Sequence, residues 1–168
     1  MLIKTCVSRE RPNLAARGGK PTARLEGAAG CAKLDGVTDS ELMSLAKDAA
    51  TRAYAPYSKF LVGAALETDD GRIFSGCNVE NASYGLGRCA EQTAIQKMVS
   101  EGGRKFTRIA VFTHSTPPSS PCGACRQVLY EFGPDARVIL GNDGAEVIEY
   151  TVRGLLPGAF GPENLEQI

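Results

Sequence analysis

Tryptophan is missing from this 168-residue chain, and aromatic residues make up only 7% of it. A surface of stacked aromatics, which serves single-stranded nucleic acid, is therefore not expected. Net charge is missing too, because 19 Lys and Arg balance 19 Asp and Glu. A dedicated nucleic-acid binder draws much of its affinity from neutralising phosphates, so this balance argues against that class. No apolar run approaches the roughly 18 to 20 residues of a membrane-spanning helix, which argues against an integral membrane protein. The opening residues, MLIKTCVSRE, lack the apolar stretch of a secretory signal. Histidine occurs once, as His114.

Cysteine is the residue in good supply: Cys6, Cys31, Cys77, Cys89, Cys122 and Cys125. With no secretory signal, reduced thiols in the cytoplasm are expected rather than disulfides. Thiols at C-x-x-C spacing in that setting bind metal or do redox work. The chain is about one domain long, enough to bury a core without covalent staples.

Residues 1–36 differ from the rest. They hold seven basic residues (Lys4, Arg9, Arg11, Arg17, Lys20, Arg24, Lys33) and three acidic ones (Glu10, Glu26, Asp35), so they are +4 and residues 37–168 are −4. Rich in Gly, Ala and Arg and without a sustained period, they read as a mostly disordered extension ahead of one folded domain at 37–168. An Arg-rich, acid-poor organellar transit peptide is the sharper alternative, and an over-long start is the plainer one.

Order is expected from Thr38, where Thr38 and Glu41 form a capping box. Leu42, Leu45, Ala46, Ala49, Ala50 and Ala53 follow at helical spacing, and the helix should end before Pro56. Val62–Thr68 and Arg72–Val79 read as strands joined at Asp69-Asp70-Gly71. The loop Glu80–Arg88 leads to a helix over Cys89–Ser100, stopped by Gly102 and Gly103. Arg108–Thr113 reads as a buried strand. After the Pro-rich loop Ser115–Pro121, Gly123–Phe132 reads as a helix, and Arg137–Leu140 and Val147–Val152 as the last strands. This order predicts an α/β fold, with a mixed sheet of about five strands between helical layers in an α/β/α arrangement.

Cys89-Ala90-Glu91 opens one helix and Pro121-Cys122-Gly123-Ala124-Cys125 opens the next. Parallel strands place the helix starts that follow them at one sheet edge, so three thiols converge there. Helix N-termini favour thiolate over thiol, and thiolates are zinc ligands. Three ligands with an open fourth position describe a catalytic zinc, and four describe a structural one. His114 and Cys77 are the candidates for closing the shell. Glu91 either complements the helix dipole or carries protons beside a zinc-bound water. The spacing of Cys89 to Glu91 matches the zinc-deaminase signature.

The stretches YAPYSKFLVGAAL (54–66), GCNVENASYGLGRCAEQTAIQKMVSEGG (76–103), PCGACRQVLYEF (121–132) and LLPGAFGPENL (155–165) together closely resemble cytidine deaminases of the small homotetrameric, three-cysteine class. The resemblance covers about Asp39 to Leu165. It implies a cytidine deaminase-like fold and the hydrolysis of cytidine or deoxycytidine to uridine or deoxyuridine. It implies one Zn²⁺ per subunit on Cys89, Cys122 and Cys125, with Glu91 as the proton shuttle. Ala90 would help recognise the pyrimidine edge through its backbone. Asn78 and Glu80 would bind the ribose 3′-hydroxyl, and Phe60 would pack on the base. Tyr84 and Phe160 would reach a neighbouring subunit's nucleoside, so the homotetramer would share its active sites. Neither nucleic acid nor membrane is an expected partner.

Each residue also has a plainer role: Phe60 in the core, Phe160 as a tail anchor, Asn78 and Glu80 as loop caps, Tyr84 as a loop residue, Cys77 as a structural thiol. One position departs from the family. Members commonly carry Arg directly after the glutamate, where this chain has Gln92. Gln can donate an N–H to a thiolate but brings no charge, so Arg88 or Arg126 would have to compensate.

Overall fold

The computed structural model describes residues 37–144 and 146–165. The expected extension at 1–36, with Cys6 and Cys31, lies outside the described residues.

The first helix, α1, spans Asp39–Ala50. Its capping box forms as expected: Glu41 N donates to Thr38 Oγ1 at 3.2 Å, and Thr38 N donates to Glu41 Oε2 at 2.8 Å. Leu42, Ala46, Ala49 and Ala50 make its buried stripe. The helix stops well before Pro56. The reason lies across the chain, where Tyr54 N donates to Asn78 O at 3.0 Å and Glu80 N donates to Tyr54 O at 2.8 Å. Backbone groups used in that bridge are not available to a helix.

The strands are β1 (Val62–Thr68), β2 (Ile73–Cys77), β3 (Phe106–Thr113), β4 (Arg137–Gly141) and β5 (Val147–Thr151), in the order β2-β1-β3-β4-β5. Between β2 and β3 lies helix α2 (Ala90–Ser100), and between β3 and β4 lies helix α3 (Gly123–Phe132). β1 is antiparallel to both β2 and β3, β3 and β4 are parallel, and β4 and β5 are antiparallel. Two antiparallel steps leave β2 and β3 pointing the same way. The helices that follow them therefore start at one edge, although β1 separates the two strands. That is how the convergence expected from the sequence is achieved.

Alternation along the strands sorts the core into two clusters. Ala65, Ala110 and Phe112 pack with Leu42, Ala46 and Ala50 of α1. Ala64, Leu66, Ile109, Val111, Val138 and Leu140 pack with Ala94, Ile95 and Met98 of α2 and Leu129 of α3. The mixed five-stranded sheet thus lies between helical layers. Two glycines set how closely the helices approach it. A β-carbon on Gly63 would lie 1.9 Å from Ala46 O of α1, and one on Gly76 would lie 2.5 Å from Ala94 N of α2. Contact at backbone distance fixes the depth of α2, and with it the start of the helix that carries Cys89 and Glu91.

Ion pairs fasten α1 to the sheet. Arg108 pairs with Glu67 and Asp39, and Arg137 pairs with Asp39 and Glu149. The Arg137 guanidinium, helped by Arg108, holds the Asp39 carboxyl below the usual carboxylate range. Two short helices at the C-terminal end were not expected: α4 at Val152–Leu155 and a 3₁₀ turn at Pro162–Asn164. Among the described residues no helix is long and apolar enough to cross a membrane.

Candidate active site

Cys89 is the N-cap of α2 and Cys122 the N-cap of α3, while Cys125 lies in the first turn of α3. Neither N-cap thiol makes a side-chain capping bond. The sulfurs of Cys89 and Cys122 are 3.9 Å apart, those of Cys122 and Cys125 are 3.5 Å apart, and all three lie within 4.8 Å of one another. Tetrahedral zinc with sulfur bonds of about 2.3 Å needs neighbouring sulfurs about 3.8 Å apart. The donor set therefore fits zinc in chemistry and in spacing.

The thiols are not equivalent. The Cys125 thiol beside it pulls Cys89 down to about 7, against burial and the charge of Glu91. The same contact with Cys89, together with burial, pushes Cys125 up. Negative charge on one sulfur thus makes a second ionisation harder, which a cation between them would relieve.

Among the described residues no fourth side-chain ligand joins the three cysteines. His114 is engaged elsewhere: its Nδ1 bonds to Asp143 Oδ2, and its ring stacks edge-on against Phe112, which packs in the α1 cluster. The Cys77 thiol donates to Arg52 O at 3.4 Å. Neither candidate for closing the shell is near it.

Glu91 is 4% exposed, and burial pushes its carboxyl above the usual range. It lines a cavity of about 440 Å³ with Cys89, Cys122, Phe60, Asn78 and Glu80. One cavity thus brings together six of the residues singled out in the sequence. Ala90 is fully buried at the first position of α2 and is not among the residues lining that cavity.

Asn78 and Glu80 both face the segment 57–62. The Asn78 amide spans it, accepting from Val62 N at 2.9 Å and donating to Phe60 O at 2.9 Å. The Glu80 carboxylate accepts from the Ser58 hydroxyl, from Tyr57 N at 2.9 Å and from Ser58 N at 3.2 Å. These bonds, the Ser58 hydroxyl foremost, hold its carboxyl below the usual range. Lys59, just before Phe60, sits in the left-handed region at φ 59°, a conformation that costs a non-glycine residue about 1 kcal/mol or more.

Tyr84 and Phe160 stand away from this chain's cavity, at 82% and 61% exposed. Tyr84 lies edge-on to Tyr57 in an adjoining hollow that also touches Glu80. Phe160 is presented by the C-terminal segment, which Gln127 Nε2 ties to α3 by donating to Phe160 O at 2.8 Å. Tyr130 Oη ties it again by donating to Glu163 Oε1 at 2.8 Å.

The cavity also includes Ser58, Val62, Val111, Thr113, Ser119 and Ser120, which sequence reasoning did not single out. The run Ser119-Ser120 directly before Pro121-Cys122 was the available signal.

Gln92 behaves as its chemistry suggests, with its Nε2 3.6 Å from Cys125 Sγ. The arginines flanking the ligands do not take over that contact, since their hydrogen bonds go to oxygen. Arg88 donates to Gly85 O and Gly87 O, and Arg126 to Pro121 O, Leu155 O and Ser120 Oγ. Among the described residues, no hydrogen bond from an arginine brings positive charge to the thiol cluster. Gln92→Arg should supply one, and kcat/KM should stay level or rise. A tenfold fall, about 1.4 kcal/mol, would refute this account of charge balance.

Comparison with known proteins points the same way. Residues 37–142 match the cytidine and deoxycytidylate deaminase zinc-binding region. A cytidine deaminase of Sporosarcina psychrophila is 50% identical over 126 residues, which cover 74% of this chain and 93% of that protein. One of Halalkalibacterium halodurans is 54% identical over 114 residues, covering 67% and 86%. The crystal structure of cytidine deaminase from Burkholderia pseudomallei superposes with a TM-score of 0.72 at 50% identity, covering 74% of this chain and all of that one. With a three-thiol cluster at two helix starts, a buried glutamate beside it and likeness along most of the described residues, the chain belongs to the cytidine and deoxycytidylate deaminase family.

Proposed function

We propose that this protein hydrolyses cytidine and 2′-deoxycytidine to uridine and 2′-deoxyuridine, releasing ammonia, as a zinc enzyme of pyrimidine salvage. The observation that carries this reading is the buried Glu91 on the wall of the cavity that Cys89 and Cys122 of the thiol cluster also line. Cys89, Cys122 and Cys125 would hold one zinc ion per chain. When bound, zinc supplies Lewis acidity, which makes water a nucleophile at neutral pH.

Glu91 moves the protons. Hydrolysis forms a C4–O bond and breaks the C4–N bond; of the two protons of water, one ends on ring N3 of the product and the other leaves with the amine as ammonia. Glu91 takes one proton as water adds and gives it to ring N3, then takes the second from the new C4 hydroxyl and delivers it to the departing amine, ending as it began. Its place in the first turn of α2, two residues after Cys89, keeps it beside the reacting carbon throughout.

Asn78 and Glu80 select the nucleoside. Glu80 already holds the Ser58 hydroxyl, so a ribose 3′-hydroxyl is the kind of donor it is built to accept. A ligand without that hydroxyl leaves a polar site poorly matched. Phe60 packs on the base, and the backbone at Ala90 reads its edge. Tyr84 and Phe160, exposed on this chain, complete the site of a neighbouring copy, and family likeness makes that assembly a homotetramer with shared sites. A cytoplasmic setting goes with this reading, because thiolate ligands need a reducing compartment.

Ammonia release by zinc-loaded protein tests the proposal. Cytidine and deoxycytidine should both turn over. The 3′-deoxy analogue should lose about tenfold or more in kcat/KM, and deoxycytidylate should not react. Absence of ammonia from both nucleosides would refute it.

A further inference from the structure

Thr113 ends β3 and is 1% exposed, a buried hydroxyl. Such a group is costly to bury without partners, and this one has two. Ser119 N donates to Thr113 Oγ1 at 3.1 Å, and Ser115 Oγ lies 2.9 Å from it. Ser115 Oγ in turn lies 2.8 Å from Ser119 Oγ. Three hydroxyls thus fold the loop 115–121 back onto the end of the strand. Asn142 steadies the same loop by donating to Ser115 O at 3.1 Å.

Ser119 is three residues before Cys122. Arg126 braces the intervening residues from α3, through Ser120 Oγ and Pro121 O. Of the three sulfur residues, Cys125 is buried and Cys89 half-buried, whereas Cys122 is exposed. Cys122 therefore has the least packing to hold it, and hydrogen bonds to the chain leading into it must do more of that work. Three residues of loose chain reach about 10 Å, far more than a metal site tolerates.

We propose that Thr113, through Ser119 and Ser115, is a positioning residue that holds Cys122 where the three sulfurs meet, and so sets the affinity of the site for zinc. This rests on the reading that these sulfurs hold zinc, and it assigns a metal-binding role to residues outside the ligand set. The mechanism is that of outer groups that orient ligands.

Zinc dissociation constants, measured by chelator competition on the full-length protein, test it. Thr113→Val keeps the shape and removes the hydroxyl. It should bind zinc about tenfold more weakly. Thr113→Ser restores the hydroxyl and should bind within about twofold of the unaltered protein. Ser115→Ala removes only the middle hydroxyl, leaving the Ser119 N to Thr113 Oγ1 bond, and should weaken zinc about threefold; it reads the rest of the same network should Thr113→Val fail to fold, and unchanged affinity there would then overturn the proposal. A folded Thr113→Val protein with unchanged zinc affinity would overturn the proposal, as would a Thr113→Ser protein as weak as Thr113→Val, which would assign the effect to packing. If the unaltered protein binds no zinc, the metal reading itself falls, and that result is distinct from the other two.

Discussion

Glu91→Gln should lower cytidine turnover by about 10³-fold, the scale on which a positioned acid–base group contributes, with zinc content and fold retained. The amide matches the carboxylate in size, so the cavity wall keeps its shape. It cannot take a proton from water and hand one on, which is the whole of the role assigned to Glu91. The carboxyl is buried, and burial opposes its charge, so a neutral amide is no harder to bury and the melting temperature should not fall. Turnover should fall in kcat, because the lost interaction belongs to the transition state rather than to substrate binding. The checks are kcat and KM from ammonia release, zinc per chain by atomic absorption, and a melting curve. A Glu91→Ala protein that still turned over at a comparable rate would leave no place for this residue as proton carrier.

The placement of Glu91 beside the thiols was legible in the chain before any coordinates, because it depends on local spacing. Cys89 and Glu91 are two apart at a helix start, as Cys122 and Cys125 are three apart at the next, and a first helical turn brings such residues together. Val62–Thr68 and Gly123–Phe132 also matched their sequence-predicted bounds, since each apolar pattern is bracketed by a clear break. Features that depend on distant partners were not legible. The early end of α1 depends on Tyr54 bonding to the strand extension at Asn78–Glu80, which no periodicity within 39–56 can report. The four-residue helix Val152–Leu155 is too short to show a period and contains Gly154. The exposure of Tyr84 and Phe160 follows from how their segments lie on the fold, which no local pattern in the sequence reports. The hydroxyls of Thr113, Ser115 and Ser119 look like ordinary loop polarity until the strand end and the loop are seen to meet. Conversely, His114 was an open question as a ligand, and the contact that answers it, Asp143, lies 29 residues away.

Cys122→Ala should abolish zinc binding and activity together. Two sulfurs then remain, and among the described residues nothing stands ready to replace the third: His114 is held by Asp143 and Phe112, and Cys77 by Arg52 O. Because Cys122 is exposed, loss of its side chain removes little buried surface, and the zinc-free protein should melt near the zinc-free wild type. The difference between the two proteins should therefore appear only when metal is present. Ligand that binds the folded state alone stabilises it by about 4 kcal/mol at a thousand times its dissociation constant. For a domain of this size that amounts to a rise in melting temperature on the order of 10–15 °C. Chelator should take that rise away from the wild type and leave Cys122→Ala unmoved, while Cys77→Ala should behave as wild type. A chelator effect of equal size in wild type and Cys122→Ala would mean that the metal responsible is not held by this cluster, since a site that loses one of three ligands cannot bind with undiminished energy.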